Sequence, residues 1–93
     1  MRKNMTIRKH IQFYGRVQGV GFRYYSVYKA QSLGLAGWVR NCYDGSVEME
    51  VQGDPNRIDD LLLFLHAQRH IRIDKMEETK IPLKEESSFQ ERW

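Results

Sequence analysis

The fold is decided by residues 7–34, which read IRKHIQFYGRVQGVGFRYYSVYKAQSLG. From Ile7 to Tyr14 the residues alternate with a period of two and include β-branched and aromatic members, which predicts a β-strand. Gly15 to Gly21 holds three glycines in seven residues and predicts a loop. No glycine or proline occurs from Phe22 to Leu33, and Gly34 suits a helix end, so a helix is predicted there.

Two further strands are predicted after this helix. Leu35 to Cys42 is the second strand, and Asp44-Gly45 is a pair typical of hairpin turns. From Val47 to Val51, apolar residues alternate with Glu48 and Glu50. This alternation predicts a third strand with a charged outer face.

An amphipathic helix and weaker strand signals complete the pattern. Asp54 suits the helix N-cap, and Pro55 suits its first position. Apolar residues then recur at helical spacing, at Ile58, Leu61, Leu62 and Leu65. Ile71 and Ile73 begin a weak fourth strand, and residues 87–93 are compatible with a short edge strand.

The element order βαββαβ predicts an α+β fold, the ferredoxin-like sandwich, in which an antiparallel sheet carries both helices on one face. We expect residues 1–6 to be an N-terminal extension and residues 7–93 to form a single domain. In this topology strands one and two run in the same direction. The loop Gly15–Arg23 and Asn41, at the end of strand two, are therefore expected to be neighbours at one edge of the sheet.

The composition is that of a globular domain and excludes several classes of protein. Hydrophobic residues make up 41% of the 93 residues and charged residues 29%, which excludes collagen-like and disordered chains. No window approaches the about 18 apolar residues that a membrane span needs, and the basic start lacks the apolar stretch of a secretory signal. A single cysteine, Cys42, excludes an internal disulfide and cysteine-based zinc sites. We expect a cytoplasmic location and no membrane partner.

Charge is distributed unevenly along the chain. Residues 1–43 hold eight Lys/Arg and no acid, whereas residues 44–93 hold seven bases and twelve acids. The basic half points to an anionic partner such as a phosphate or a nucleic acid. Alternatively, the two halves neutralise each other in the folded protein, and charge alone does not decide between these readings.

The glycine loop has the composition of an anion-binding site. A glycine-rich turn that enters a helix presents several backbone N–H groups, and the helix dipole adds positive potential there. Arg23, in the first helical turn, adds a planar set of donors that suits phosphate oxygens. The loop lacks the Gly-Lys-Ser/Thr of a Walker A motif, and Tyr24 stands where a dinucleotide motif has its third glycine. A tight turn without a ligand is the alternative for the glycines taken alone.

The full string Gly15-Arg16-Val17-Gln18-Gly19-Val20-Gly21-Phe22-Arg23 resembles the signature of the acylphosphatase family at its motif positions. The segment Gly37-Trp38-Val39-Arg40-Asn41, followed by Asp44-Gly45-Ser46-Val47-Glu48, is similar to the second signature of that family and has the matching spacing. The resemblance covers about residues 7–65, and two signatures in register are far more specific than a lone glycine loop.

The resemblance implies a metal-free hydrolase without a cofactor, which cleaves acyl phosphates to a carboxylate and inorganic phosphate. It implies that Gly15–Arg23 is the phosphate-binding loop and that Arg23 and Asn41 are catalytic. The chemistry is consistent with these residue types. A carboxylate leaving group departs without protonation because its conjugate acid has a pKa near ~4, and a neutral amide such as Asn41 can orient an attacking water. The proton acceptor for that water stays open, with the substrate phosphate as our hypothesis.

Some positions depart from the family pattern or allow other readings. Glu91 stands where the final strand of many members is apolar, Cys42 stands where the family often has threonine, and residues 67–70 lack the frequent Gly-Pro. These departures concern the C-terminal edge of the predicted sheet. His66 and His70 are spaced for a shared metal, but a surface pair is the preferred interpretation.

Two alternatives to the hydrolase are a nucleic-acid-binding module and a phosphate-binding domain without turnover. RNA-recognition domains share the predicted architecture and stack bases on aromatic residues of the open sheet face. Here Glu48 and Glu50 are predicted on that face, where their charge would repel a phosphate backbone. Nucleic acid is therefore not an expected partner. A domain without turnover is disfavoured because both catalytic residue types are present, and we expect a monomer.

Overall fold

Seven segments form regular secondary structure in the computed structural model, which describes residues 5–93. In chain order they are β1 (Ile7–Arg16), α1 (Phe22–Ser32), β2 (Ala36–Asn41), β3 (Val47–Gly53), α2 (Pro55–His66), β4 (Arg72–Ile81) and β5 (Phe89–Arg92). The predicted element order is confirmed. Residues 1–4 of the expected N-terminal extension lie outside the described residues, and residues 5–6 precede β1 without regular structure.

The strands form one sheet in the order β4-β1-β3-β2-β5. The pairs β1–β4, β1–β3 and β2–β3 are antiparallel, as the predicted ferredoxin-like fold requires. The C-terminal strand β5 pairs parallel with β2, so the sheet is mixed rather than wholly antiparallel. Because β1 and β2 are both antiparallel to β3, they run in the same direction and end at the same edge.

The core lies between the sheet and the two helices. Alternate residues of β1 and β3 are fully buried on this face, among them Ile11, Phe13, Met49 and Val51. The helix α2 contributes Ile58, Leu61, Leu62 and Leu65, which share one helical stripe. At its start, Pro55 occupies the first turn and the Asp54 side chain accepts a hydrogen bond from the Asn56 backbone N–H, as predicted for an N-cap.

The outer face of the sheet is charged, as predicted, but it is not fully open to solvent. The connection between β4 and β5, residues 82–88, passes over it, with Lys84 bonded to Gln52 and Glu86 bonded to Arg8. As a result the Arg8 side chain is fully buried. Its guanidinium donates to Glu50 at 2.9 Å, to Gln52 at 3.1 Å and to Glu86 at 2.8 Å.

Ion pairs join the basic first half of the chain to the acidic second half. Of the six Lys/Arg in residues 5–43, four pair with acids beyond residue 43, namely Arg8, Lys9, Arg23 and Arg40. The structure therefore favours the reading in which the two halves neutralise each other. No helix within residues 5–93 has the length and apolar character needed to cross a membrane.

Acid is expected to destabilise the outer face. Burial raises the pKa of the Glu48 carboxyl, but hydrogen bonds from His10 and Arg40 outweigh burial and leave that pKa below its usual value. Burial also raises the pKa of Glu50, and hydrogen bonds from Arg8 and Lys84 likewise bring it below its usual value. A lowered folded-state pKa contributes stability that is fully present above the unfolded-state pKa, about 4.3 for Glu, and is lost as the pH falls through the lowered folded-state pKa.

Urea unfolding at pH 6 and at pH 3.5 measures this effect. We expect a lower unfolding midpoint at pH 3.5, and a smaller difference between the two pH values in Glu48→Gln, which has no carboxyl to titrate there. Glu85→Gln, at an exposed position, is the control and is expected to keep the full difference. Equal pH dependence in the wild type and Glu48→Gln would contradict the expectation.

Candidate active site

A cavity of about 190 Å³ lies where the β1–α1 loop meets the end of β2. Its lining comes from three separate parts of the chain: the loop with the first turn of α1, the last residue of β2, and β5. The lining residues are Val17, Gly19, Gly21, Phe22, Arg23, Tyr24, Asn41 and Glu91. The loop and Asn41 are therefore neighbours, as the parallel course of β1 and β2 predicts.

The loop reaches the cavity through glycines with positive φ. Gly19 has φ 73° and Gly21, the N-cap of α1, has φ 82°. Residues other than glycine rarely adopt these backbone angles, so the path of this loop requires glycine. The first N–H groups of α1, from Phe22, Arg23 and Tyr24, have no partner within the helix. Since these three residues line the cavity, the helix end provides backbone donors and positive potential for an anion.

The other loop residues hold the loop in place. The Gln18 amide donates to the carbonyl oxygens of Cys42 at 2.7 Å and Ser46 at 2.8 Å, which ties the loop to the β2–β3 turn. The Phe22 ring is buried, with its centroid 4.8 Å from that of Phe13. Val20 packs against the core.

Two residues of the predicted phosphate-binding loop thus lie behind the cavity wall, and two others lie at the start of the loop. Gln18 and Val20 do not line the cavity, and Gly15 and Arg16 form the end of β1. Arg16 is exposed. The nine residues therefore divide into those that face the cavity and those that position them.

Arg23 is the one cationic side chain among the cavity-lining residues, and two residues of the C-terminal segment contact it. Its Nη1 atom lies 3.0 Å from an Oε atom of Glu91. Its guanidinium carbon lies 4.8 Å from the centroid of the Trp93 ring. The Arg23 side chain is 22% exposed, so the guanidinium is held at the cavity while part of it still faces solvent.

The contacts of Glu91 and Trp93 with Arg23 were not predicted from the sequence. Glu91 was identified as a departure from the family pattern at the C-terminal edge, yet β5 forms and places this carboxylate in the cavity wall. Two tyrosines follow Arg23 in α1 and differ in their surroundings. Tyr24 lines the cavity and is 67% exposed, whereas Tyr25 packs against the core.

Other candidate residues are placed away from the cavity. Arg40 is paired with Glu48, whose carboxylate also bonds His10. His66 and His70 are both exposed. No group of three or more His, Cys, Asp or Glu residues is positioned to hold a metal ion in the part of the chain from residue 5 onward.

Comparison with known proteins gives a consistent result. A family model described as Acylphosphatase matches residues 9–91. The chain is 57% identical over 56 residues to an acylphosphatase of Bifidobacterium longum, an alignment that covers 60% of this chain and 58% of that protein. It is 50% identical over 60 residues to an acylphosphatase of Thermococcus kodakarensis, with 64% and 66% covered. The alignments thus span less than two thirds of the length of these two relatives.

The fold comparison extends over nearly the whole chain. The crystal structure of acylphosphatase from Bacillus subtilis matches with a TM-score of 0.87 at 30% sequence identity, covering 94% of this chain and 99% of that one. The similarity therefore continues beyond residue 65, where the resemblance noted from the sequence ends. Because the family model also extends to residue 91, the chain belongs to the acylphosphatase family.

Proposed function

We propose that this protein hydrolyses the carboxyl–phosphate bond of acyl phosphates and releases a carboxylate and inorganic phosphate. The single observation that carries the proposal is the cavity in which Arg23, the glycine loop and Asn41 meet. The acylphosphatases to which the chain is similar support the same activity.

The phosphoryl group is held by Arg23 and by backbone N–H groups of the loop and first helical turn that line the cavity. In phosphoryl transfer the bond to the leaving group loosens while charge spreads over the three equatorial oxygens, so catalysis consists mainly of positioning and charge stabilisation. A guanidinium and a helix N-terminus in one cavity provide both. The loop is already anchored by Gln18, so the donors need little rearrangement when phosphate binds.

The leaving carboxylate requires no general acid. Its conjugate acid has a pKa near ~4, so the departing group is stable as an anion at neutral pH. The substrate phosphate accepts the proton of the attacking water in this proposal. The reaction proceeds without a metal or a cofactor, since positioning by protein groups is enough for so good a leaving group.

Asn41 orients the attacking water. It is the last residue of β2 and faces the same cavity as Arg23. Its amide carries both a donor and an acceptor, so it can bind water without adding a negative charge that would repel the phosphate. The strand fixes the amide relative to the loop, which is the condition for efficient positioning.

The wider biological setting is part of the proposal. We propose a single-domain, monomeric, cytoplasmic enzyme, as the ordinary composition and single cysteine suggest. Nucleic acid is not a proposed partner. The carboxylates Glu48 and Glu50 lie on the outer sheet face, where they are engaged with Arg40, His10 and Arg8.

Hydrolysis of benzoyl phosphate tests the function. Its loss is followed by ultraviolet absorbance with purified protein in the presence of EDTA. We expect enzyme-dependent hydrolysis that EDTA does not reduce. A folded protein that binds inorganic phosphate but leaves benzoyl phosphate intact would instead be a binding domain.

Asn41→Ala is expected to lower kcat for benzoyl phosphate by about 100-fold, because a water without its orienting amide seldom has a productive geometry. The matched control is Asn56→Ala, at an exposed position in α2, which is expected to retain wild-type activity. Full activity in Asn41→Ala would remove Asn41 from the mechanism.

A further inference from the structure

The Arg23 guanidinium already has an anionic partner in this structure. The Glu91 carboxylate lies 3.0 Å from Arg23 Nη1 and lines the same cavity. The mechanism proposed above assigns no role to the Glu91 carboxylate. A phosphate that binds Arg23 must therefore meet a carboxylate already in contact with it.

The position of Glu91 follows from the anchoring of β5. Phe89 and Glu91 are two residues apart in the strand and therefore lie on the same face of the sheet. Phe89 is fully buried in the core. On the other face, the Arg92 guanidinium carbon lies 4.7 Å from the centroid of the Trp38 ring. The register of β5 with β2 places Glu91 opposite Val39, two residues before Asn41. A one-residue slip would expose Phe89, so the strand holds Glu91 toward the cavity.

A carboxylate and a phosphate are alternative ligands for one guanidinium. Both accept hydrogen bonds from its N–H groups, and one N–H cannot serve both anions fully. The two anions also repel each other, most strongly when the phosphate is a dianion. Trp93 lies against the Arg23 guanidinium and so helps to keep it at the cavity when the carboxylate moves away.

We propose that Glu91 is an intramolecular competitor of phosphate for Arg23, and thereby a residue that sets the affinity of this site for phosphate groups. The inference rests on the proposed function in that Arg23 is taken as the phosphate ligand. Bound substrate or product displaces the Glu91 carboxylate, which returns to Arg23 when inorganic phosphate leaves. Glu91 thus weakens ground-state binding of acyl phosphate and of inorganic phosphate to a similar extent, and it limits inhibition by the product.

The test compares the wild type with Glu91→Gln, which keeps the shape of the side chain and removes its charge. Binding of inorganic phosphate is measured by calorimetry, and KM and kcat are measured with benzoyl phosphate. We expect the Kd for phosphate and KM to fall together by roughly five- to twentyfold, the range for losing a partly exposed charge that opposes a dianion. The value of kcat is expected to change far less than KM.

Two further variants make the result specific. Glu77→Gln removes another partly exposed carboxylate, which pairs with Lys75 at 3.3 Å on β4 outside the cavity lining, and is expected to leave Kd, KM and kcat unchanged. Glu91→Ile also removes the charge but places a good strand-forming residue in β5. It is expected to reproduce the tighter phosphate binding even where Glu91→Gln folds poorly.

The possible outcomes separate this inference from the proposed function. Tighter phosphate binding in both Glu91 variants supports competition, whether or not the wild type hydrolyses benzoyl phosphate. Unchanged or weaker phosphate binding in both variants overturns it, even in an active enzyme. A role of Glu91 in strand stability alone would lower the unfolding midpoint and leave the Kd for phosphate unimproved, which also overturns the inference.

Discussion

Arg23→Ala is expected to lower kcat/KM for benzoyl phosphate by about 1,000-fold, the largest effect on activity that we predict. Arg23 is the cationic side chain of the cavity lining, and the backbone donors that remain carry only partial charges. The variant also leaves the Glu91 carboxylate without its partner beside the phosphate position. Binding and stabilisation of charge in the transition state are both reduced.

Arg23→Lys separates the charge of Arg23 from its geometry. A lysine keeps one positive charge but replaces a planar set of donors by a compact ammonium group, so we expect a loss of about 10- to 100-fold. The double variant Arg23→Ala/Glu91→Gln tests whether an unpaired carboxylate causes the loss in Arg23→Ala. We expect the double variant to stay nearly inactive, because removal of a repulsive charge does not replace the missing ligand.

Arg69→Ala serves as the control for loss of a positive charge, since Arg69 is exposed between α2 and β4. It is expected to change kcat/KM by less than about twofold. Circular dichroism and thermal unfolding check that each Arg23 variant is folded. More than a tenth of wild-type kcat/KM in a folded Arg23→Ala protein would show that the backbone donors suffice without the arginine.

Much of the fold and the site could be predicted because the signals are local. The period-two and helical patterns give the order of the elements, and the glycine spacing marks the loop before α1. One topological argument, that β1 and β2 run in the same direction, brings Asn41 to the loop although it lies on another strand. The residue pairs that sequence reasoning identified are therefore those fixed by the regular geometry of a small sheet.

The features that were not predicted depend on the segment after β4, which has no clear periodicity. Residues 82–88 bring Glu86 to Arg8, and β5 brings Glu91 to Arg23. Arg8 and Glu86 lie 78 positions apart in the chain, and no local sequence pattern specifies a contact over such a separation. Arg8 lies on the charged outer face of the sheet, and the path of residues 82–88 over that face makes it buried.

The buried position of Arg8 leads to the largest effect on stability that we predict. Its guanidinium is fully buried and donates to Glu50, Gln52 and Glu86. Arg8→Met keeps much of the side-chain volume but leaves two carboxylates near each other without their shared cation. We expect the free energy of unfolding to fall by about 3 kcal/mol, since loss of one partner from a buried ion pair is strongly destabilising. Urea unfolding at pH 7 measures it.

The neighbouring residue supplies a control with the same chemistry in a more open setting. Lys9 forms an ion pair with Glu78 at 2.8 Å, as Arg8 does with Glu86. The side chains of Lys9 and Glu78, however, are about a quarter and a third exposed. Lys9→Met is expected to change the free energy of unfolding by less than about 1 kcal/mol. The difference between the two methionine variants therefore reports the burial of Arg8 together with its second ion pair and its bond to Gln52.

A rescue experiment identifies the cause of the loss in Arg8→Met. If the loss of the cation shared by the two carboxylates is responsible, adding Glu50→Gln and Glu86→Gln to Arg8→Met should recover much of the stability, because neutral amides tolerate the partly buried position better than charges do. If packing of the arginine stem is responsible, the triple variant should be no more stable than Arg8→Met. A loss in Arg8→Met as small as that in Lys9→Met would show that the 82–88 connection moves away and lets water reach the two glutamates.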